Sequence, residues 1–144
     1  MSALTNDAEN IMLDILLGKR TSQDSGTTST ANMYTALGLS TSIYVGLHTA
    51  SPGEAGSTSN ELSGNNYART LAAFDTASSG ASDNSGSVEF PIASGSWGTI
   101  SHFSLHTAQT GGTMLVHGAV TTSKSVASGD TIRFSAGDLD ISID

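Results

Sequence analysis

Hydrophobic and polar residues alternate with a period of two along most of the chain after residue 40. The segment SIYVGLHT places Ile43, Val45 and Leu47 on one face of an extended chain and His48 on the other. The final segment LDISID repeats the alternation, with apolar side chains at every second position. This pattern predicts half-buried β-strands.

Several other segments show the same alternation, and turn-forming stretches separate them. Further strands are predicted in TISHFSLHT, TMLVHGAV and TIRFSA, and weaker candidates lie in YARTLAAF and SVEFPI. The turns are the Gly-, Ser- and Asn-rich stretches SPGEAGSTSN, SSGASDNSGS, ASGSWG, QTGG and ASGD. Short strands, frequent turns and no helical pattern after residue 40 predict a mainly β fold. We expect an antiparallel β-sandwich or jelly-roll-like domain over residues 41–144.

The four residues LHTA occur twice, at positions 47–50 and 105–108. In both copies the alternation directs the leucine, Leu47 or Leu105, towards the core. It directs the following histidine, His48 or His106, to the opposite face, which we expect to face solvent. The two histidines are therefore candidate interface residues.

The N-terminal segment, residues 1–20, has the period of an amphipathic helix. Asn6 is a candidate N-cap and Gly18 a candidate helix end. The predicted apolar stripe consists of Ala8, Ile11, Met12, Ile15 and Leu16. So short a helix needs a docking partner, either its own domain or a neighbouring subunit. Ile11, Met12, Ile15 and Leu16 are therefore candidate interface residues.

A polar arm is predicted between the helix and the β domain, over residues 21–40. Its first part, TSQDSGTTSTA, has no apolar periodicity and too few large apolar side chains to form a core. Such an arm would allow the helix to reach another subunit, although it is equally compatible with a tolerated insertion.

Composition limits the classes of function. The 144 residues suit one ordinary domain, and the absence of cysteine excludes disulfides and thiolate chemistry. A net charge of −8 disfavours binding to nucleic acid and to anionic membranes. The apolar run IMLDILL contains an acid and is too short to span a bilayer. We therefore expect neither nucleic acid nor membrane as a partner.

The sequence offers little catalytic or metal-binding chemistry. His102 and His106 are four residues apart, roughly 13 Å along a strand, so they cannot share one ion. Any metal site would have to be assembled across strands. No GxSxG nucleophile motif or phosphate-binding loop is present. We expect no enzyme activity, no cofactor and no stoichiometric metal.

Four other residues are conspicuous in this context. Glu54 and Glu61 lie in a Gly- and Ser-rich loop, where we expect solvated acids rather than a catalytic pair. Arg69 is one of few basic residues, and pairing with Glu54 or Glu61 would pin the loop to the domain. Trp97, at the start of a predicted strand, is expected to cap the core rather than to form a sugar-stacking platform, and it is also a candidate interface residue.

Residues 43–70, IYVGLHTASPGEAGSTSNELSGNNYART, resemble a motif in short virion proteins of tailed bacteriophages and prophages. The matching pieces are Tyr44 to Thr49, Pro52 to Glu54, Gly56, Asn60 to Leu62, Gly64 and Tyr67 to Arg69. The likeness continues through ASGSWGTISHFSLHTAQTGGTML and SGDTIRFSAGDLDISID, and NIMLDILLG resembles the short helix with which such proteins begin.

The resemblance implies a non-enzymatic structural protein of the virion. Within that class, we expect an outer capsid decoration (cement) protein. Its expected partners are the major capsid protein and further copies of itself, with which it would form a homotrimer. The alternative is a tail-fibre or collar component that takes part in host attachment. A carbohydrate-active virion enzyme lacks a recognisable carboxylate pair in this sequence.

Overall fold

A computed structural model describes residues 4–19 and 39–143 of the chain. Within these ranges no helix has the length and apolar character needed to cross a membrane. Most of the predicted polar arm, residues 21–40, falls outside the described residues. The expected division into helix, arm and β domain therefore stays a prediction.

The described chain is mainly β, as the alternation predicts. Within residues 4–19 and 39–143, one helix, α1 (Asn6–Leu16), precedes eight strands. The strands are β1 (Ile43–His48), β2 (Thr70–Ala72), β3 (Ala81–Asp83), β4 (Val88–Glu89), β5 (Gly98–His106), β6 (Met114–Val126), β7 (Arg133–Phe134) and β8 (Asp140–Ser142).

The strands form antiparallel sheets that pack in a sandwich-like arrangement. The largest sheet has the order β2-β1-β5-β6, and two small sheets consist of β3 with β8 and of β4 with β7. In the central pairing of β1 with β5, Gly46 lies opposite Ser104 and Leu47 lies opposite Phe103. This register brings the two LHTA segments together on neighbouring strands.

The core lies on the face of the large sheet that the alternation assigned to it. Ile43, Val45, Leu47 and Leu105 are at most 1% exposed, which confirms the inward facing of both LHTA leucines. β8 follows the same rule, because Ile141 is buried while its neighbours on either side are exposed. Burial of each such side chain contributes about 1.5–3 kcal/mol to the driving force for folding.

Strand lengths differ from the sequence prediction in several places. β3 lies within SSGASDNSGS, which was predicted as a turn, and it pairs with β8. Its only buried side chain is Ser82, whose hydroxyl donates to the carbonyl oxygen of Asp75. A strand stabilised by polar contacts has no apolar alternation, so that prediction was wrong. β6 is longer than predicted, with 13 residues.

The helix docks on its own domain, but through a different face from the predicted stripe. Leu13 and Leu17 are 0% and 3% exposed and join the core. Asn10 and Asp14, on the same face, accept hydrogen bonds from the backbone N–H groups of Gly80 and Ala77 at 2.7 Å. Because two of the four docking positions are polar, apolar periodicity alone selected the wrong face.

The helix ends are close to those predicted. The N-cap is Thr5, whose side-chain oxygen accepts a hydrogen bond from the N–H of Ala8, rather than Asn6. Gly18 has a φ of +72° and follows the last turn, as expected for a helix-terminating glycine.

Candidate functional site

A polar cluster lies on the face of β1 and β5 opposite the core. The cross-strand pair Gly46 and Ser104 forms its centre, and His48 and His106 lie diagonally on either side of that pair. This placement follows from the repeated LHTA sequence, because antiparallel pairing relates the two copies by an approximate twofold axis. The histidines are 56 and 2 residues from Ser104 in sequence, yet both imidazoles contact its hydroxyl.

Both histidines are buried, which corrects the expectation that they face solvent. His48 is 0% exposed and His106 is 1% exposed. The Ser104 Oγ atom lies 2.7 Å from Nε2 of His48 and 2.8 Å from Nε2 of His106. Neither imidazole therefore offers an external contact surface, and both are withdrawn as interface candidates.

The loop that follows β1 explains this burial. It returns along the end of β1, where the N–H of Thr49 donates to the carbonyl of Asn60 and the N–H of Leu62 donates to the carbonyl of Leu47. The Tyr67 hydroxyl accepts a hydrogen bond from the N–H of Leu47 at 2.9 Å. A loop therefore covers the outer face of β1. Because the sequence of this loop has no apolar pattern, the covering could not be predicted from it.

Arg69 pins this loop through Glu61. Its Nε and Nη2 atoms donate to the two carboxylate oxygens of Glu61 at 2.6 and 2.7 Å, a bidentate geometry. Its Nη1 atom donates to the carbonyl oxygens of Ala108 and Gly111, in the turn between β5 and β6. The side chains of Arg69 and Glu61 are only 7% and 9% exposed. One guanidinium therefore joins two loops.

Glu54, the other candidate partner of Arg69, has a different environment. Its side chain is fully exposed, and its carboxylate lies 3.8 Å from Nε2 of His117. The structure therefore excludes Glu54 from the pinning contact.

Burial and the Arg69 cation shift the pKa values of the groups in the cluster. It lowers the pKa of His106 to about 4, and the Arg69 cation acts in the same direction. Burial also lowers the pKa of His48, with partial opposition from Glu61. In Glu61, burial raises the pKa, but the hydrogen bond and charge of Arg69 outweigh it and the net shift is downward. Burial raises the pKa of Tyr67 far above its usual value.

Trp97 has the core-capping role that was one of its two expected alternatives. It is 5% exposed, its Nε1 donates to the carbonyl of Asn65 at 2.9 Å, and its ring meets Tyr67 edge-on at 5.6 Å. It is therefore not available as an interface side chain.

Asn65 and Asn66 have positive φ angles, and their amides donate to the carbonyls of Ser96 and Ile92.

The helical interface candidates lie on the less buried side of α1. Ile11 and Met12 are 41% and 49% exposed, while Ile15 and Leu16 are half-buried. Their assignment to an interface stays a prediction.

The cluster has the residue types of a hydrolytic site but not its accessibility. Ser104 and both imidazoles are 0–1% exposed, so no substrate can reach the hydroxyl in this conformation. His48, His106 and Glu61 do present ligand atoms within 4.8 Å of one another. Sequence reasoning placed Ser104 on the polar face of its strand, beside His102 and His106, but did not single it out as a functional residue. That shared face was a usable signal for the contact with His106, whereas the contact with His48 depends on the pairing of β1 with β5.

The comparison with known protein families identifies the class of this chain. The sequence model of one family, described as Podophage GP4 fiber I protein gp80, matches residues 3–142. The chain therefore belongs to this family and is a structural protein of a phage virion. No curated protein matches the sequence.

Family membership confirms the resemblance to structural proteins of phage virions. It favours the tail-fibre alternative over the capsid decoration protein that was the first expectation. Composition does not separate the two positions on the virion, because low charge content and a β fold suit either of them.

Proposed function

We propose that this protein is a non-enzymatic structural subunit of a tail fibre in a tailed phage, where it contributes to host attachment. The match to a podophage fibre family over residues 3–142 carries this proposal. Burial of the histidines and of Ser104 supports a structural rather than catalytic role, because these groups hydrogen-bond to one another beneath the covering loop instead of facing a cleft.

A fibre subunit also has to bind other virion proteins, and we propose further copies of this chain as the partners. The exposed side of α1 presents Ile11 and Met12, and Leu4 is also 46% exposed. Among the strands of the described residues, β6 lies at the edge of its sheet and is paired only with β5. An open strand of 13 residues is a known type of protein contact surface. The homotrimer expected from the sequence belongs to this proposal.

The decisive experiment is to locate the protein in purified particles. Gold-labelled antibodies against it should decorate the tail, and quantitative mass spectrometry should give a copy number in the range of tail proteins. The major capsid protein of the same particles is the internal control. Labelling over the whole shell, at a copy number comparable to that of the major capsid protein, would instead support capsid decoration.

A further inference from the structure

We propose that His48, His106 and Glu61 form a binding site for one divalent transition-metal ion, for which Zn²⁺ is the best chemical match. The ligands come from β1, from β5 and from the loop that covers them, so the ion would join that loop to the sheet. This inference concerns the interior of the subunit and does not depend on the fibre role.

The arrangement of donor atoms around Gly46 supports the site. A Cβ atom at this position would lie 2.8 Å from Ser104 Oγ, 3.1 Å from Glu61 Oε1 and 3.3 Å from His106 Nε2. Gly46 does not have a positive φ, so its backbone conformation does not require glycine. The missing side chain instead keeps open the space on which the donor atoms converge.

The distances allow an ion after an inward movement of the ligands. Zinc binds nitrogen and oxygen ligands at about 2.0–2.2 Å, so two ligands of one tetrahedral ion lie roughly 3.4 Å apart. The donor atoms of His48, His106 and Glu61 lie within 4.8 Å of one another, so the widest pair has to approach by up to roughly 1.4 Å. Rotations of the Glu61 carboxylate and of the two imidazoles would supply this movement. Ser104, in contact with both imidazoles, is the candidate fourth ligand.

Two features set the expected affinity below that of a dedicated structural zinc site. Arg69 already binds both oxygens of Glu61 and would repel the ion. The Nδ1 atoms of His48 and His106 have no hydrogen-bond partner among the described residues, whereas metal-binding histidines usually donate this N–H. The missing partners of the two Nδ1 atoms, found among the described residues, are a cost of burying the imidazoles whether or not an ion is bound.

Zinc retention after refolding provides the first test. Because the imidazoles are buried, the ion should enter during folding or by opening of the loop. The full chain is unfolded in chelator, refolded with or without Zn²⁺ and freed of excess metal by gel filtration. We expect one zinc per chain and a higher melting temperature after refolding with zinc. Co²⁺ in place of zinc should give the visible absorption of a low-symmetry site with nitrogen ligands.

Matched variants then localise the ion. His48→Gln and His106→Gln keep a side-chain amide that can reach Ser104 but lose the imidazole ligand, so zinc affinity should fall at least about tenfold. His117→Gln is the control, because His117 and Glu54 form a surface pair that could bind zinc adventitiously. This variant should bind zinc like the wild type.

Two outcomes would overturn the proposal. The first is wild-type protein that folds but retains no zinc and gives no cobalt spectrum by either route of loading. The second is zinc binding that is lost in His117→Gln and retained in the two cluster variants. If the cluster variants do not fold, zinc retention and the cobalt spectrum of His117→Gln, compared with those of the wild type, decide the question, because this variant lacks the surface pair.

Discussion

At the scale of single residues, the two LHTA segments combine an apolar core position with a buried polar one. Replacing either leucine with alanine should destabilise the protein by about 2–5 kcal/mol, because each side chain is fully buried. Replacing either histidine with alanine should also destabilise it, by about 1–3 kcal/mol, because the Ser104 hydroxyl loses a buried partner. Chemical denaturation measures the free energy of unfolding of the four variants Leu47→Ala, Leu105→Ala, His48→Ala and His106→Ala. A chelator is present so that bound metal does not contribute.

Leu71→Ala is the matched control for this series. Leu71 lies on β2 and is 58% exposed, so its replacement should change the unfolding free energy by no more than about 0.5 kcal/mol. Histidine variants as stable as this control would contradict the buried positions of His48 and His106.

The ion pair between Arg69 and Glu61 provides a second prediction at this scale. Arg69→Met should cost about 3–5 kcal/mol, because it leaves the Glu61 carboxylate in a site that is 9% exposed, without its cation. Adding Glu61→Leu should recover much of this loss, since the unpaired charge is then removed. Urea denaturation of the two single variants and the double variant measures the coupling. Glu54→Gln replaces a fully exposed acid and should leave the free energy of unfolding nearly unchanged.

At the scale of elements, α1 has two faces with different expected roles. Leu13→Ala should lower the free energy of unfolding by about 2–5 kcal/mol, because Leu13 is fully buried against the domain. Met12→Ser, one residue away and 49% exposed, should leave unfolding nearly unchanged but weaken self-association. Thermal denaturation and sedimentation velocity separate the two effects. An unchanged oligomer in Met12→Ser and in Ile11→Ser would argue against this face as an interface.

The elements also show how far the sequence could predict the fold. β1, β5 and β8 were predictable, because each buries one apolar face and alternates with a period of two. β3 and the docking face of α1 were not, because Ser82, Asn10 and Asp14 contribute through specific hydrogen bonds instead of apolar area. Apolar periodicity detects burial of hydrocarbon and carries no information about buried polar contacts.

The same distinction applies to the candidate site. Strand alternation placed His48 and His106 on a common face, and the scarcity of basic residues pointed to Arg69 as a partner of Glu54 or Glu61. Neither observation could reveal that the covering loop buries both imidazoles. The loop is held by backbone hydrogen bonds and by the ion pair between Arg69 and Glu61, and such contacts leave no apolar pattern in the sequence. Metal binding was rejected from the spacing along one strand, whereas the donor cluster forms across two.

At the scale of the whole molecule, net charge bears on how copies of the chain associate. Each chain carries a formal charge of −8, so identical subunits repel one another in dilute salt. If they associate through apolar contacts on α1 and backbone contacts at β6, screening of this repulsion should strengthen association. We therefore expect the monomer fraction to fall as sodium chloride is raised from about 0.01 to 0.15 M, which shortens the Debye length from about 30 to 8 Å. Sedimentation equilibrium across this range of salt concentration tests the prediction. Met12→Ser serves for comparison, because it changes the proposed interface on α1 without changing the net charge. A monomer fraction that rises with salt would instead indicate an interface held by ion pairs between subunits.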